Sequence, residues 1–286
     1  MNTGIFLENL MTSYYREDFF KAIDQVERMG VHNIQMFMGG QVINPDMPKD
    51  DKKMVRELFA SKNIKVVGFA TCRGYKHFYF PNENREDIEI TKRDMELARE
   101  FGVTKYGGHI GAIIKDKTSE LYKNYFKVYK ELADFAAGLG MNFCIETGPD
   151  KISDLKNFLD EIDSKGSGVN FDSANILMVQ NEEPSEGVYL LKDYVKFVHA
   201  KDGRFIKPSN SEAVYIPDIL GIPHQEYGHY AQEPLGKGQV DFKKFLKALK
   251  DVDFDGTIIL EREGGNTVEK DMLDGIAIIE NILKQI

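Results

Sequence analysis

The chain has 286 residues and a formal net charge of -9, from 37 Lys and Arg against 46 Asp and Glu. This length fits two domains of ordinary size or one α/β barrel of about 250 residues. The acidic balance argues against a nucleic-acid surface, which needs clustered Lys and Arg. The two cysteines, Cys72 and Cys144, give no disulfide framework. Without a signal-peptide pattern or a run of about 18 apolar residues, we expect a cytoplasmic protein that binds no membrane.

Short apolar runs alternate with longer amphipathic stretches. The runs lack polar alternation, as parallel strands buried on both faces do, and predict strands at 4–7, 33–37, 65–70, 105–109, 142–146, 168–172, 195–200 and 257–261. Apolar residues at helical spacing predict helices between them, with Ser119, Ser153 and Asp241 as N-caps. Eight such units predict a single (β/α)8 TIM barrel that occupies 1–286 as one domain. A doubly wound sheet is disfavoured because no glycine-rich phosphate loop follows the first strand.

One segment, about residues 203–239, interrupts this alternation after the seventh predicted strand. It is rich in turn formers and aromatic residues, among them Tyr215, Pro217, Tyr227 and Tyr230. A loop of this length in a compact domain is usually a lid, an interface or a disordered segment, and the aromatic content argues against disorder. A substrate lid and a subunit contact are equally supported.

The active site of a TIM barrel lies at the carboxyl ends of its strands. There, four successive predicted strands end in Glu146, Asp172, His199 and Glu261. Converging carboxylates repel one another, and a bound cation offsets that repulsion. Oxygen ligands with one imidazole suit Mn²⁺, Mg²⁺ or Co²⁺, and also Zn²⁺. The pattern therefore predicts a site for one divalent metal ion, with Mn²⁺ the first choice.

These residues resemble the xylose isomerase-like TIM-barrel superfamily and, more narrowly, its sugar phosphate isomerase/epimerase group. The resemblance rests on Glu146, on Asp172 in NFDSAN, on His199 in VHAKD and on Glu261 in ILERE, and also on the segment PLGKGQVDF. It implies that these four residues bind one divalent cation. It also implies that Glu146 and Glu261 lie on opposite sides of a bound sugar, where they remove and return a proton next to a carbonyl.

Further residues near the strand ends are candidates for substrate contact. Asn175 stands where many members of the family carry His, and an amide can bind a hydroxyl but cannot act as acid or base. Lys201 and Asp202 belong to a His-x-Lys-Asp pattern that the family shares. The remaining candidates are His109, Arg204 and Glu8. Because the Lys and Arg residues form no recognisable phosphate cradle, we expect an unphosphorylated substrate.

The sequence thus predicts a metal-dependent sugar isomerase or epimerase that acts on a keto-sugar or related polyol. The same groups could instead drive β-elimination, as in a lyase or dehydratase acting on an inosose or a 3-keto-sugar derivative. A non-catalytic sugar-binding barrel is less favoured. So is the DNA-repair endonuclease branch, whose trinuclear zinc site needs more histidines than His109 could supply. The resemblance also suggests a homo-oligomer.

Overall fold

The computed structural model describes residues 1–13, 15–225 and 228–286; Tyr227 lies outside them. The strands of the described residues are β1 (Asn2–Phe6), β2 (Asn33–Met38), β3 (Lys65–Thr71), β4 (Lys105–Gly108), β5 (Asn142–Glu146), β6 (Ser167–Asp172), β7 (Val195–Ala200), β8 (Asp202–Phe205), β9 (Tyr230–Glu233) and β10 (Thr257–Leu260). Eight of these described strands close into a parallel barrel in the order β1-β10-β7-β6-β5-β4-β3-β2. Ile5 closes the ring by pairing with Ile34 of β2 and Leu260 of β10. The predicted TIM-barrel fold is confirmed.

Helices follow the barrel strands and cover the outside of the ring. Within the described residues they are α1 (Arg16–Arg28), α2 (Lys49–Ser61), α3 (Lys76–Tyr79), α4 (Arg85–Glu100), α5 (Glu120–Gly138), α6 (Ile152–Ile162), α7 (Ser173–Asn175), α8 (Pro184–Leu190), α9 (Ser211–Tyr215), α10 (Pro217–Leu220), α11 (Phe242–Asp251) and α12 (Val268–Leu283). Short turns of 3-10 and π geometry occupy Leu7–Leu10 and Ile176–Gln180. Among the described residues, no helix is long and apolar enough to cross a membrane.

Two of the three predicted helix caps are confirmed. The Ser119 hydroxyl accepts a hydrogen bond from the backbone N–H of Tyr122, and the Asp241 carboxylate accepts one from Lys244. The prediction for Ser153 is wrong, because α6 already begins at Ile152 and has no side-chain cap. Ser153 therefore lies inside the first turn, where its hydroxyl is past the capping position.

The barrel interior is filled by side chains and is not a pore. Phe6, Ala70, Phe197 and Ile259 form one buried cluster inside the ring. Between the ring and the helices lies a larger apolar layer that includes the fully buried Tyr125. This packing leaves the carboxyl ends of the strands as the place where polar side chains can converge.

The segment predicted as a long loop after β7 contains regular structure. Strands β8 and β9 pair antiparallel as a two-stranded ribbon, with Asp202 opposite Glu233 and Phe205 opposite Tyr230. Helices α9 and α10 lie between these two strands in the chain. The segment is thus a ribbon with short helices, because four consecutive residues near each of its ends pair with each other rather than with the barrel.

Candidate active site

The ends of β5, β6 and β7 and the residue after β10 bring four ionisable side chains together. Glu146, Asp172, His199 and Glu261 each offer a ligand atom, and these atoms lie within 4.8 Å of one another. All four residues are buried. Parallel pairing produces this convergence directly, since Asp172 lies opposite His199 in the register of β6 and β7. The four predicted metal ligands therefore form one cluster.

His199 is oriented by contacts on both sides of its ring. Its Nε2 atom lies 2.5 Å from Oε1 of Gln35, which makes Nε2 a hydrogen-bond donor to that amide oxygen. Its Nδ1 atom faces the carboxylates, at 2.9 Å from Glu261 Oε2 and 3.5 Å from Glu146 Oε1. A partner that fixes the outer ring nitrogen is the usual support of a histidine that binds a metal ion.

Two buried carboxylate oxygens of the cluster, Asp172 Oδ2 and Glu261 Oε2, have no donor among the described residues other than the His199 imidazole and the Lys201 ammonium. The other oxygen of Asp172 caps α7 and accepts a hydrogen bond of 2.7 Å from the backbone N–H of Asn175. Buried acceptors without donors are costly. These two oxygens and Nδ1 of His199 face one another. As metal ligands, carboxylate oxygens and an imidazole nitrogen suit a divalent cation.

The ionisation states of the cluster follow from its crowding. Burial raises the pKa of Glu146, but the adjacent His109 and His199 lower it more, so that the pKa lies well below its ordinary value. Glu261 behaves similarly: burial raises its pKa, whereas Lys201 and His199 bring it down to about 2. Both glutamates are therefore carboxylates at neutral pH.

The pKa values of Asp172 and His199 are shifted upward, opposite to those of the two glutamates. Burial raises the pKa of Asp172 to about 6, although the charge of Lys201 opposes this. Burial lowers the pKa of His199, but Glu261 and Glu146 raise it well above its ordinary value. In the protein alone, a proton on Nδ1 thus offsets part of the negative charge, at the position where a cation would bind.

Three of the predicted substrate contacts reach this cluster. His109 Nε2 lies 3.2 Å from Glu146 Oε1, and the Asn175 amide donates to the same oxygen at 3.4 Å. Lys201 is buried and places Nζ 3.5 Å from Glu261 Oε2 and 2.7 Å from Glu263 Oε2. Each glutamate of the predicted proton-transfer pair therefore has a polar neighbour of its own.

Three other predicted contacts have different partners. Asp202 accepts backbone hydrogen bonds of 2.8 Å from both Gly236 and Gly238, so its carboxylate holds the glycine turn. The Arg204 guanidinium forms an ion pair of 2.9 Å with Glu233 on the neighbouring ribbon strand. Glu8 accepts a hydrogen bond of 2.7 Å from the backbone N–H of Phe37. None of the hydrogen bonds or ion pairs found between described residues links these three to the four-residue cluster.

Two polar residues of the site were missed by the sequence reasoning. Gln35 lies within β2 and contacts His199, as described above. Asn170 lies within β6, and its amide donates to Glu146 Oε2 at 3.2 Å. Each is a polar residue inside an otherwise apolar run, and a polar residue inside a strand buried on both faces is the signal that could have identified them.

A closed parallel barrel with a buried carboxylate and imidazole cluster at its mouth defines a TIM-barrel protein with a candidate metal centre. The chain belongs to the xylose isomerase-like TIM barrel family, whose model matches residues 23–282. The family predicted from the sequence is thereby confirmed.

Relatives in this family carry different activities. A ketose 3-epimerase from Arthrobacter globiformis is 22% identical over 205 residues, which are 68% of this chain and 61% of the relative. An inosose dehydratase from Lacticaseibacillus casei is 22% identical over 258 residues, which are 86% of this chain and 82% of the relative. A xylose isomerase-like TIM barrel protein from Mycobacterium smegmatis, solved in complex with magnesium, superposes with a TM-score of 0.74 at 15% identity, covering 99% of this chain and 97% of the other.

Proposed function

We propose that the protein is a divalent-metal-dependent sugar isomerase or epimerase that moves a proton next to the carbonyl of an unphosphorylated keto-sugar or related polyol. The observation that carries this proposal is the cluster itself, whose four buried side chains offer ligand atoms within 4.8 Å of one another. The epimerase activity of one relative supports the same class of reaction. Mn²⁺ is the cation we expect, since oxygen ligands with one imidazole suit it well.

Glu146, Asp172, His199 and Glu261 would hold the cation. When bound, it would polarise the substrate carbonyl and stabilise the negative charge that develops as the adjacent proton leaves. Glu146 and Glu261 are the proposed proton-transfer pair: the carboxylate of one takes the proton from the substrate, and the other returns a proton after it has been protonated by its own neighbour, His109 or Lys201. His109, Asn175 and Lys201 would bind substrate oxygens, since their polar atoms surround these two glutamates.

Exchange of substrate hydrogen with solvent tests this proposal. The metal-loaded enzyme should incorporate deuterium from D₂O into L-ribulose, D-tagatose or D-psicose at the carbon next to the carbonyl. Glu146→Gln and Glu261→Gln should each slow exchange about 10²- to 10⁴-fold, the usual contribution of general acid–base catalysis. Glu100→Gln, which changes an exposed glutamate paired with Lys52, is the matched control and should retain the wild-type rate. Full exchange activity in both site variants would refute the mechanism.

A dehydratase is the second candidate, and one observation favours it. Elimination of a hydroxyl group needs a proton donor near the base, and the Lys201 ammonium lies 3.5 Å from Glu261 Oε2. The inosose dehydratase relative also covers more of this chain than the epimerase does. Incubation with 2-keto-myo-inositol decides between the two: release of an unsaturated product establishes the dehydratase, whereas exchange without loss of water establishes the isomerase class.

A further inference from the structure

The ribbon formed by β8 and β9 directs one face toward the barrel. Gly203 and Gln232 are paired across the ribbon, and side chains of directly opposite residues lie on the same face. On that face, a Cβ atom at Gly203 would clash with the sulfur of Met178 in the π-helical turn after α7. The face that carries Gln232 therefore packs against the turn at the carboxyl end of β6, where Met178 lies.

Gln232 is joined to the candidate metal centre through two side chains. Its Nε2 atom donates to Oε2 of Glu263, and the same oxygen accepts a hydrogen bond of 2.7 Å from Lys201 Nζ. Lys201 in turn lies 3.5 Å from Glu261 Oε2, the oxygen that faces His199. Gln232 is therefore linked through Glu263 and Lys201 to Glu261, a proposed metal ligand.

The amide oxygen of Gln232 has no donor. Oε1 is buried and receives no hydrogen bond from any described residue. Rotating the amide would satisfy nothing, because Oε1 would then face the Glu263 carboxylate. A buried carbonyl oxygen without a donor is unfavourable, and such an atom in a native structure indicates a missing partner.

Anchoring of the ribbon does not require Gln232. Gln239 performs that role. Its side-chain Oε1 accepts a hydrogen bond of 2.8 Å from the backbone N–H of Phe205, and its backbone N–H donates to the carbonyl oxygen of Gly203 at 2.8 Å. Gln239 thus anchors the ribbon, and Gln232 is a residue of that ribbon. Only Gln232 extends toward the cluster and leaves an acceptor free.

We propose that Gln232 is a substrate-binding residue whose Oε1 accepts a hydrogen bond from a hydroxyl of the sugar. This inference rests on the proposed function and deepens it. It requires a substrate that presents a hydroxyl donor on the Lys201 side of the cation, and it makes the segment 203–239 part of the active site. Glu263 holds the Gln232 amide in place, and Lys201 links this contact to Glu261.

The test compares Gln232→Met with Gln239→Met in the metal-loaded enzyme. Both changes keep the side-chain length, and both remove hydrogen bonds to the ribbon or its neighbours. The probes are L-ribulose, D-tagatose, D-psicose and 2-keto-myo-inositol, followed by the monodeoxy derivatives of whichever probe is turned over fastest. Gln232→Met should raise KM about 10-fold with a change in kcat below about twofold, the effect of one lost hydrogen bond to substrate. Gln239→Met should leave KM unchanged.

The monodeoxy derivatives identify the contact. One of them should lose about 10-fold in kcat/KM with the wild-type enzyme and nothing further with Gln232→Met, because the bond is absent in both. If the two methionine variants have equal KM values, Gln232 only supports the ribbon and the inference fails while the proposed function stands. If the wild-type enzyme neither exchanges hydrogen in any of the four probes nor eliminates water from one, the proposed function and this inference fail together.

Discussion

Two buried groups of charged side chains in this barrel differ in how their charge is balanced. In one, Arg73 forms a two-pronged ion pair with Asp94, with N–O distances of 2.7 and 3.2 Å, and Tyr106 donates to the same carboxylate at 3.0 Å. In the other, three carboxylates face His199, and the buried oxygens Asp172 Oδ2 and Glu261 Oε2 have no donor among the described residues other than His199 and Lys201. The first group is complete, whereas the second has more acceptors than donors.

This difference separates structural charge from functional charge. A buried ion pair whose atoms are all bonded adds rigidity and offers nothing to a ligand. A buried cluster with excess negative charge is unfavourable alone and becomes favourable when a cation enters. Both groups contain a carboxylate that is fully buried, Asp94 in one and Asp172 in the other, so the balance of donors and acceptors is what distinguishes the candidate site.

The largest expected effect comes from breaking the complete group. Arg73→Met leaves the Asp94 carboxylate, which is 0% exposed, without its counter-charge. We expect the free energy of unfolding to fall by about 3 to 5 kcal/mol, the usual cost of removing one partner of a buried ion pair. Urea unfolding at pH 7 measures it. Tyr106→Phe removes only the neutral donor and should cost about 1 kcal/mol. Equal stability of Arg73→Met and wild type would show that this group is not structural.

Removing one charge from the incomplete group should not lower the free energy of unfolding. In metal-free protein, Asp172→Asn removes one of the repelling carboxylates and retains an oxygen that can accept the hydrogen bond from Asn175 N. We therefore expect its free energy of unfolding to equal or exceed that of metal-free wild type. A loss as large as that of Arg73→Met would contradict the contrast between the two groups.

Cation binding gives the next largest effect. Mn²⁺ at about 100 times its Kd should stabilise the wild-type protein by about 2.7 kcal/mol, which raises Tm by roughly 5 °C. EDTA should reverse the increase. Arg73→Met, although destabilised, should show the same increment, whereas Asp172→Asn and His199→Ala should show little of it. An equal increment in all variants would place the cation elsewhere.

The sequence predicted those parts of the molecule that depend on local pattern. Strand β7 was recognised as a β-branched and aromatic apolar run, and the four residues of the cluster were recognised because each stands at the end of such a run. Parallel strands in a closed barrel necessarily bring those ends together. The fold and the convergence of these four residues therefore required no knowledge of packing.

Contacts set by distant parts of the chain could not be predicted. Gln35 and His199 are 164 positions apart, and only closure of the barrel brings them together. The pairing of Phe205 with Tyr230 likewise depends on how an intervening segment folds back. A glutamine offers no local signal of its partner, so Gln232 was not recognised as a site residue.

A further carboxyl, that of the half-buried Asp150, sharpens the comparison because among the described residues it has neither an ion pair nor a metal cluster around it. It borders a cavity of about 320 Å³ between the loops after β4 and β5. Both of its oxygens lie within 3.2 Å of the backbone N–H of Ile113. Loss of hydration nevertheless raises the pKa of Asp150 from 3.8 to about 8, which favours the neutral carboxyl at neutral pH.

The sign of the resulting pH dependence follows from the raised pKa. Between about pH 4 and 8 the folded state binds a proton at Asp150 that the unfolded state has lost, so this group's contribution to stability falls as the pH rises through that interval. Asp150→Asn keeps the acceptor for Ile113 N and cannot ionise. We expect wild type to lose up to about 4 kcal/mol relative to Asp150→Asn between pH 5 and 8.5, measured by urea unfolding at both values. If the difference in free energy of unfolding between the two proteins is the same at both pH values, Asp150 is ionised in the folded state. Its ionisation state would then not distinguish it from the glutamates of the cluster.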